Sequence, residues 1–171
     1  MKREKISYDL NFITGLPENS NLYTKLMRRL IHQADSFDRI RFLFVIIPQN
    51  HRLGAVVYGK WVHLSEMELK RADAHNDFMM AFRHAPHGGS AIQRKITEAW
   101  LKRTSEYHEL MEIYNTVTDV ERGLFMVDKD LVIRIWRKMA DAAEKRGLIF
   151  KKVVFIDKNG KKHEWSRFTP A

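Results

Sequence analysis

The pair Asn159-Gly160 does most to narrow what this chain can build. It lies between a β-branched and aromatic run, LIFKKVVFI, and a shorter run that closes on Trp165. A type I′ turn needs positive φ at both central positions, which Asn and Gly tolerate, so the pattern predicts a hairpin. A two-residue loop sets Lys158 opposite Lys161, Ile156 opposite His163 and Val154 opposite Trp165, with the last pair facing a core. The tip then carries Lys158, Lys161 and Lys162, like charges whose repulsion an external anion would relieve.

A helix is expected immediately upstream, beginning at Asp128 and ending at Gly147. Val132, Ile135, Trp136, Met139 and Ala143 form its apolar face; Arg134, Arg137, Lys138, Asp141 and Lys145 form the other. Lys145-Arg146 suits the negative end of the helix dipole, and Gly147 suits a left-handed stop.

A helix ending in EKRGLI, then strand, turn and returning strand, resembles the recognition helix and wing of winged helix-turn-helix proteins, most closely the MarR-like group. The resemblance covers roughly the last fifty residues. It implies that Arg134, Arg137 and Lys138 face a DNA groove, with Lys145 on the same cationic face, while Lys158, Lys161 and Lys162 lie along the flanking backbone. The pattern departs upstream, where TDVERGLFM must serve as the preceding helix and turn.

The rest of the chain reads as an α+β protein. Residues 5–13 alternate as a first strand, with Ile6, Tyr8, Leu10 and Phe12 on one side. A helix over 20–34 follows, with Tyr23, Met27, Leu30, Ile31 and Ala34 on one face and Lys25, Arg28, Arg29 and His32 elsewhere on the cylinder. Residues 39–47, with the run FLFVII, read as a strand covered on both faces, and 53–64 as a third strand. This gives an N-terminal β-α-β-β unit. Ser65 with Glu68 forms a capping box for a helix over 65–84. Ser90 caps another that continues to about Thr116, with Ile92, Ile96, Trp100, Tyr107, Met111 and Tyr114 as its stripe. The linker HAPHGGS divides an α+β unit over 1–85 from a helical, winged unit over 90–171, unless the two form one compact domain. No repeat is apparent.

Charge sets the class of partner. The formal net charge is +9 and is uneven: residues 1–60 contribute +5, 61–120 contribute −2 and 121–171 contribute +6. Such ends attract nucleic acid, anionic lipid or an acidic protein. The chain has no cysteine, which excludes disulfides, thiolate metal sites and cysteine nucleophiles. The basic start has no long apolar run behind it and 42–48 is too short to span a bilayer, so a cytoplasmic, non-membrane protein is expected.

Asp73, His75, Asp77, His84 and His87 are the one collection of possible metal ligands. Their spacing matches no metal motif, and His75 falls on the stripe of Leu69, Ala72, Met79 and Phe82, which favours a half-buried histidine bonded to backbone. HGGS before a helix lacks the Walker A lysine, and no G-x-S-x-G occurs. Phe42, Phe44, Tyr58 and Trp61 beside basic residues could stack bases, though core packing explains most of them.

The expected function is nucleic-acid binding of a regulatory or replication-accessory kind, with duplex DNA favoured, no cofactor, no metal and no catalytic residue. The alternatives are an inhibitor or adaptor that docks an acidic protein, and a metal-dependent nuclease or hydrolase built on the Asp73/His75/Asp77/His84/His87 cluster.

Overall fold

The computed structural model describes residues 12–48, 51–87, 90–119, 128–156 and 162–170, with side chains as far as Leu148. After a helical turn at 12–14 come α1 (Asn21–Gln33), α2 (Phe37–Ile46), α3 (Gly54–Arg71), α4 (His75–His84), α5 (Ala91–Arg103), α6 (Tyr107–Thr118) and α7 (Lys129–Lys145). Two C-terminal strands, β1 (Leu148–Ile156) and β2 (Lys162–Pro170), pair with each other as a two-stranded sheet.

The α+β expectation is overturned. Residues read as the second and third strands are helices α2 and α3, and Phe12 and Ile13, the end of the first, are helical. The rest of that first strand lies outside the described residues. A strand covered on both faces would bury both parities of the FLFVII run. Here Ile40, Leu43 and Ile47 are buried, while Phe42 (50% exposed), Phe44 (43%) and Val45 (80%) are not. Burial follows a helical period. A short apolar run cannot distinguish strand from helix, and packing overrides the β preference of its side chains. Ser36 starts α2 locally, its hydroxyl accepting from the Arg39 N–H at 3.4 Å.

Leu53, Val57, Trp61 and Ser65 are buried at every fourth position along the α3 face. Ser65 therefore lies inside a helix, where its hydroxyl donates to the Trp61 carbonyl at 3.0 Å, and no capping box forms. The cap lies later, at the α3–α4 break. Asp77 is the third residue of α4, and its Oδ2 accepts from the N–H groups of Ala74 (3.0 Å) and Asp73 (3.1 Å). Those two N–H groups hold the Asp77 carboxyl below its ordinary value.

The long helices expected over 65–84 and from 90 to 116 are each two helices. They break at Ala72 and Thr104, residues in extended conformation that are 8% and 3% exposed. Ala34 closes α1 in the same way. None of these breaks contains glycine or proline. Each is made by a small buried residue followed by an exposed pair.

The chain divides into two compact units. One holds the described residues up to Ala72 together with Met80–Pro86; the other holds Asp73–Met79 and the described residues from His87 onward. Helix α4 is thus divided between them. In the first unit Tyr23, Met27, Leu30 and Ile31 pack with Ile40, Leu43, Ile47, Leu53, Val57 and Trp61. In the same unit Arg41 donates to the Arg83 carbonyl at 2.8 Å and Trp61 Nε1 to the His84 carbonyl at 2.6 Å. Both carbonyls belong to the last turn of α4, which has no intrahelical donor for them.

The second unit repeats the plan of the first. Ser20 caps α1 through the Tyr23 N–H, and Ser90, seventy positions on, caps α5 through the Gln93 N–H; both helices have 13 residues. The buried positions then correspond: Ile31 to Leu101, Ala34 to Thr104, Ile40 to Leu110, Leu43 to Ile113, Ile47 to Val117. Phe44 meets Trp61 of the third helix edge-on at 5.5 Å, and its counterpart Tyr114 meets Trp136 edge-on at 5.9 Å. The residue types differ at most of these positions, so the repeat is one of burial pattern rather than of letters.

At the C-terminus Asp128 caps α7 through the Leu131 N–H at 3.1 Å, and Gly147 adopts φ 66°. In the ribbon that follows, Ile156 pairs with Lys162, Val153 with Trp165 and Val154 with Glu164. The expected register is therefore displaced by one residue. The Asn159-Gly160 turn itself lies outside the described residues. The helix and antiparallel ribbon expected at the C-terminus are thus present as α7, β1 and β2, while the other described elements are helices.

Candidate nucleic-acid interface

Helix α7 is amphipathic, but its core face is rotated from the expected one. Leu131, Ile135, Met139, Ala142 and Ala143 are buried; Val132 and Trp136 are only partly so. The rotation brings part of the supposed ligand-facing side against α5. Lys138 is partly buried, and its Nζ donates to the Leu101 carbonyl at 2.5 Å. Arg134 lies 3.3 Å from the Glu98 carboxylate. Glu98 also lies 3.5 Å from Arg94, which in turn reaches the α7-capping Asp128 at 3.0 Å. Arg146 pairs with Glu106.

The seven expected contact residues therefore separate. Lys138 and Arg134 are tied to α5. Arg137 and Lys145 are exposed and have no carboxylate within ion-pair distance among the described residues. Lys158 and Lys161 fall outside the described residues, and Lys162 opens β2. What sequence reasoning missed was Glu98: an acid thirty-six positions from Arg134 neutralises it, and nothing local announces that meeting.

The histidine and aspartate cluster does not assemble. Asp73 pairs with Arg103, and Asp77 is committed to its cap. His75 is held by side chains rather than by backbone: buried Trp100 donates Nε1–H to its Nδ1 at 3.0 Å, and its Nε2 lies 2.8 Å from Glu112. An accepting Nδ1 fixes the neutral ring with its proton on Nε2, which then donates to Glu112. His84 belongs to the first unit, where it lies 2.9 Å from Glu68 and stacks on Phe37 at 4.7 Å. His87 is exposed. No three His, Asp or Glu side chains converge as a metal set among the described residues. Ser90 of the HGGS stretch is an ordinary cap; Gly88 and Gly89 lie outside the described residues.

Of the aromatic residues near basic ones, Trp61 is core, whereas Phe42, Phe44 and Tyr58 are 50%, 43% and 41% exposed. Phe44 and Tyr58 line an open cavity of about 390 Å³ with Ile47, Pro48, Gly54, Ala55, Val57 and Gly59. Its walls are largely apolar and include no titratable group other than the Tyr58 phenol.

No helix among the described residues is long and apolar enough to cross a membrane. Comparison with known protein families, with curated proteins and with solved structures finds no match.

Proposed function

We propose that this chain is a nucleic-acid-binding protein that holds its ligand chiefly by neutralising backbone phosphate. The observation that carries the reading is uncompensated charge. The chain has a formal net charge of +9, and the outer face of α7 keeps Arg137 and Lys145 without an acidic partner among the described residues, after Arg134 and Arg146 have taken theirs. Exposed cations in such excess favour a polyanion over a neutral partner. Phosphate contacts place a ligand without reading its sequence, so weak discrimination among sequences is expected.

The test is anisotropy of a labelled random duplex, and of a single strand of equal length, titrated with the full chain at several salt concentrations. Each neutralised phosphate releases about 0.9 counterion from duplex, so affinity should fall steeply with salt. Affinity that is flat from low to physiological salt would instead favour an adaptor that docks an acidic protein.

A further inference from the structure

Helix α1 presents Lys25, Arg28, Arg29 and His32 at i, i+3, i+4 and i+7, a single stripe along one side of the cylinder. All four are exposed. The opposite side, with Tyr23, Met27, Leu30 and Ile31, is buried in the first unit. Helix α1 contains no Asp or Glu. None of Lys25, Arg28, Arg29 and His32 has an ion pair among the described residues. Asp35, just beyond the helix, is taken by Arg39 at 2.9 Å.

Like charges three and four apart on a helix repel, so the stripe is a local cost. The helix dipole accounts for His32 in the last turn, but not for Lys25, Arg28 and Arg29. The fold does not require the stripe either. The corresponding positions of α5 in the second unit are Lys95, Glu98, Ala99 and Lys102, and there Glu98 binds Arg94 and Arg134 within the unit. One helical plan thus occurs twice: the α5 face carries an acid that pairs within its unit, and the α1 face carries none.

We infer that the Lys25–Arg28–Arg29–His32 face of α1 is a docking surface for the phosphodiester backbone of nucleic acid. The inference rests on the nucleic-acid reading above and moves the main binding face from α7 to α1. Seven residues of helix rise about 10 Å. A strand of duplex carries a charge every ~3.4 Å along its axis, so the stripe matches about three phosphates. An anionic membrane is a poorer fit, because a surface-lying helix needs its apolar face free and that of α1 is buried.

The experiment uses the full chain and three variants: Arg28→Glu/Arg29→Ala, which writes in the residues of α5; Lys25→Gln/Arg28→Gln/Arg29→Gln; and Arg137→Gln/Lys145→Gln. Circular dichroism and thermal melting establish folding, and the triple Gln variant replaces the first should that not fold. Anisotropy is read with a random duplex. We expect the α1 variants to bind at least about tenfold more weakly, with a salt slope shallower by about 0.9 for each phosphate no longer neutralised. Wild-type affinity in folded α1 variants, with weakening confined to the α7 variant, would overturn this inference and leave the nucleic-acid reading standing. No binding by the wild-type chain would overturn both.

Discussion

At the scale of single residues, stability depends on where each cation or ring ended up rather than on its type. Arg137 and Lys138 are neighbours in α7, yet one is exposed and the other gives its ammonium to a backbone carbonyl. Lys138→Met should cost about 1.5–3 kcal/mol, the usual contribution of a hydrogen bond to a charged group, while Arg137→Met should stay within about 0.5 kcal/mol. Urea denaturation separates the two. Trp100→Phe keeps most of the buried ring but removes the donor to His75 Nδ1. Leaving that nitrogen unpaired should cost about 1–3 kcal/mol. Equal stability of parent and Trp100→Phe would show that the bond does not hold His75.

At the scale of elements, capping sets where helices begin. Ser20→Ala and Ser90→Ala should each lower stability by about 1 kcal/mol, measured by urea titration. The α4 cap should also be visible in acid. Asp77 is held below its ordinary value of 3.8 by backbone donors, so its contribution is fully present above that pH and is lost as pH falls through the lower folded value. Asp77→Asn should therefore flatten the acid limb of a melting-temperature profile below about pH 4. An unchanged limb would assign that sensitivity to other carboxylates. These caps were half legible. Ser90 and Asp128 could be read from their spacing to the next apolar stripe. The breaks at Ala72 and Thr104 could not, because neither glycine nor proline marks them and a small residue turns the chain only when something packs over it.

At the scale of the whole molecule, α4 is the unusual element. Its first half, with His75 and buried Phe78, packs in the second unit; its last turn is closed by Arg41 and Trp61 of the first. A fragment of residues 90–171 would leave Trp100 without its acceptor and remove Phe78 from its core. A fragment of 73–171 keeps both. Thermal melting of the two should give the longer one the higher and more cooperative transition, and equal transitions would show that α4 contributes nothing to that unit.

Some of this protein was fixed by local chemistry, and the sequence by itself determined it. The α1 stripe, the Asp128 cap, the Gly147 stop and the basic excess all follow from spacing, hydroxyl or carboxylate caps, glycine's freedom at positive φ, and counted charge. What only tertiary structure decided is of another kind. The FLFVII run became α2 because Ile40, Leu43 and Ile47 found a core along a helical face, and a run so apolar carries no periodicity of its own. The expected α7 interface gave up Arg134 and Lys138 to α5 because ion pairs and carbonyl hydrogen bonds between distant segments exist only after packing. The α1 face kept Lys25, Arg28 and Arg29 uncompensated for the complementary reason: among the described residues, the fold brings no carboxylate to them.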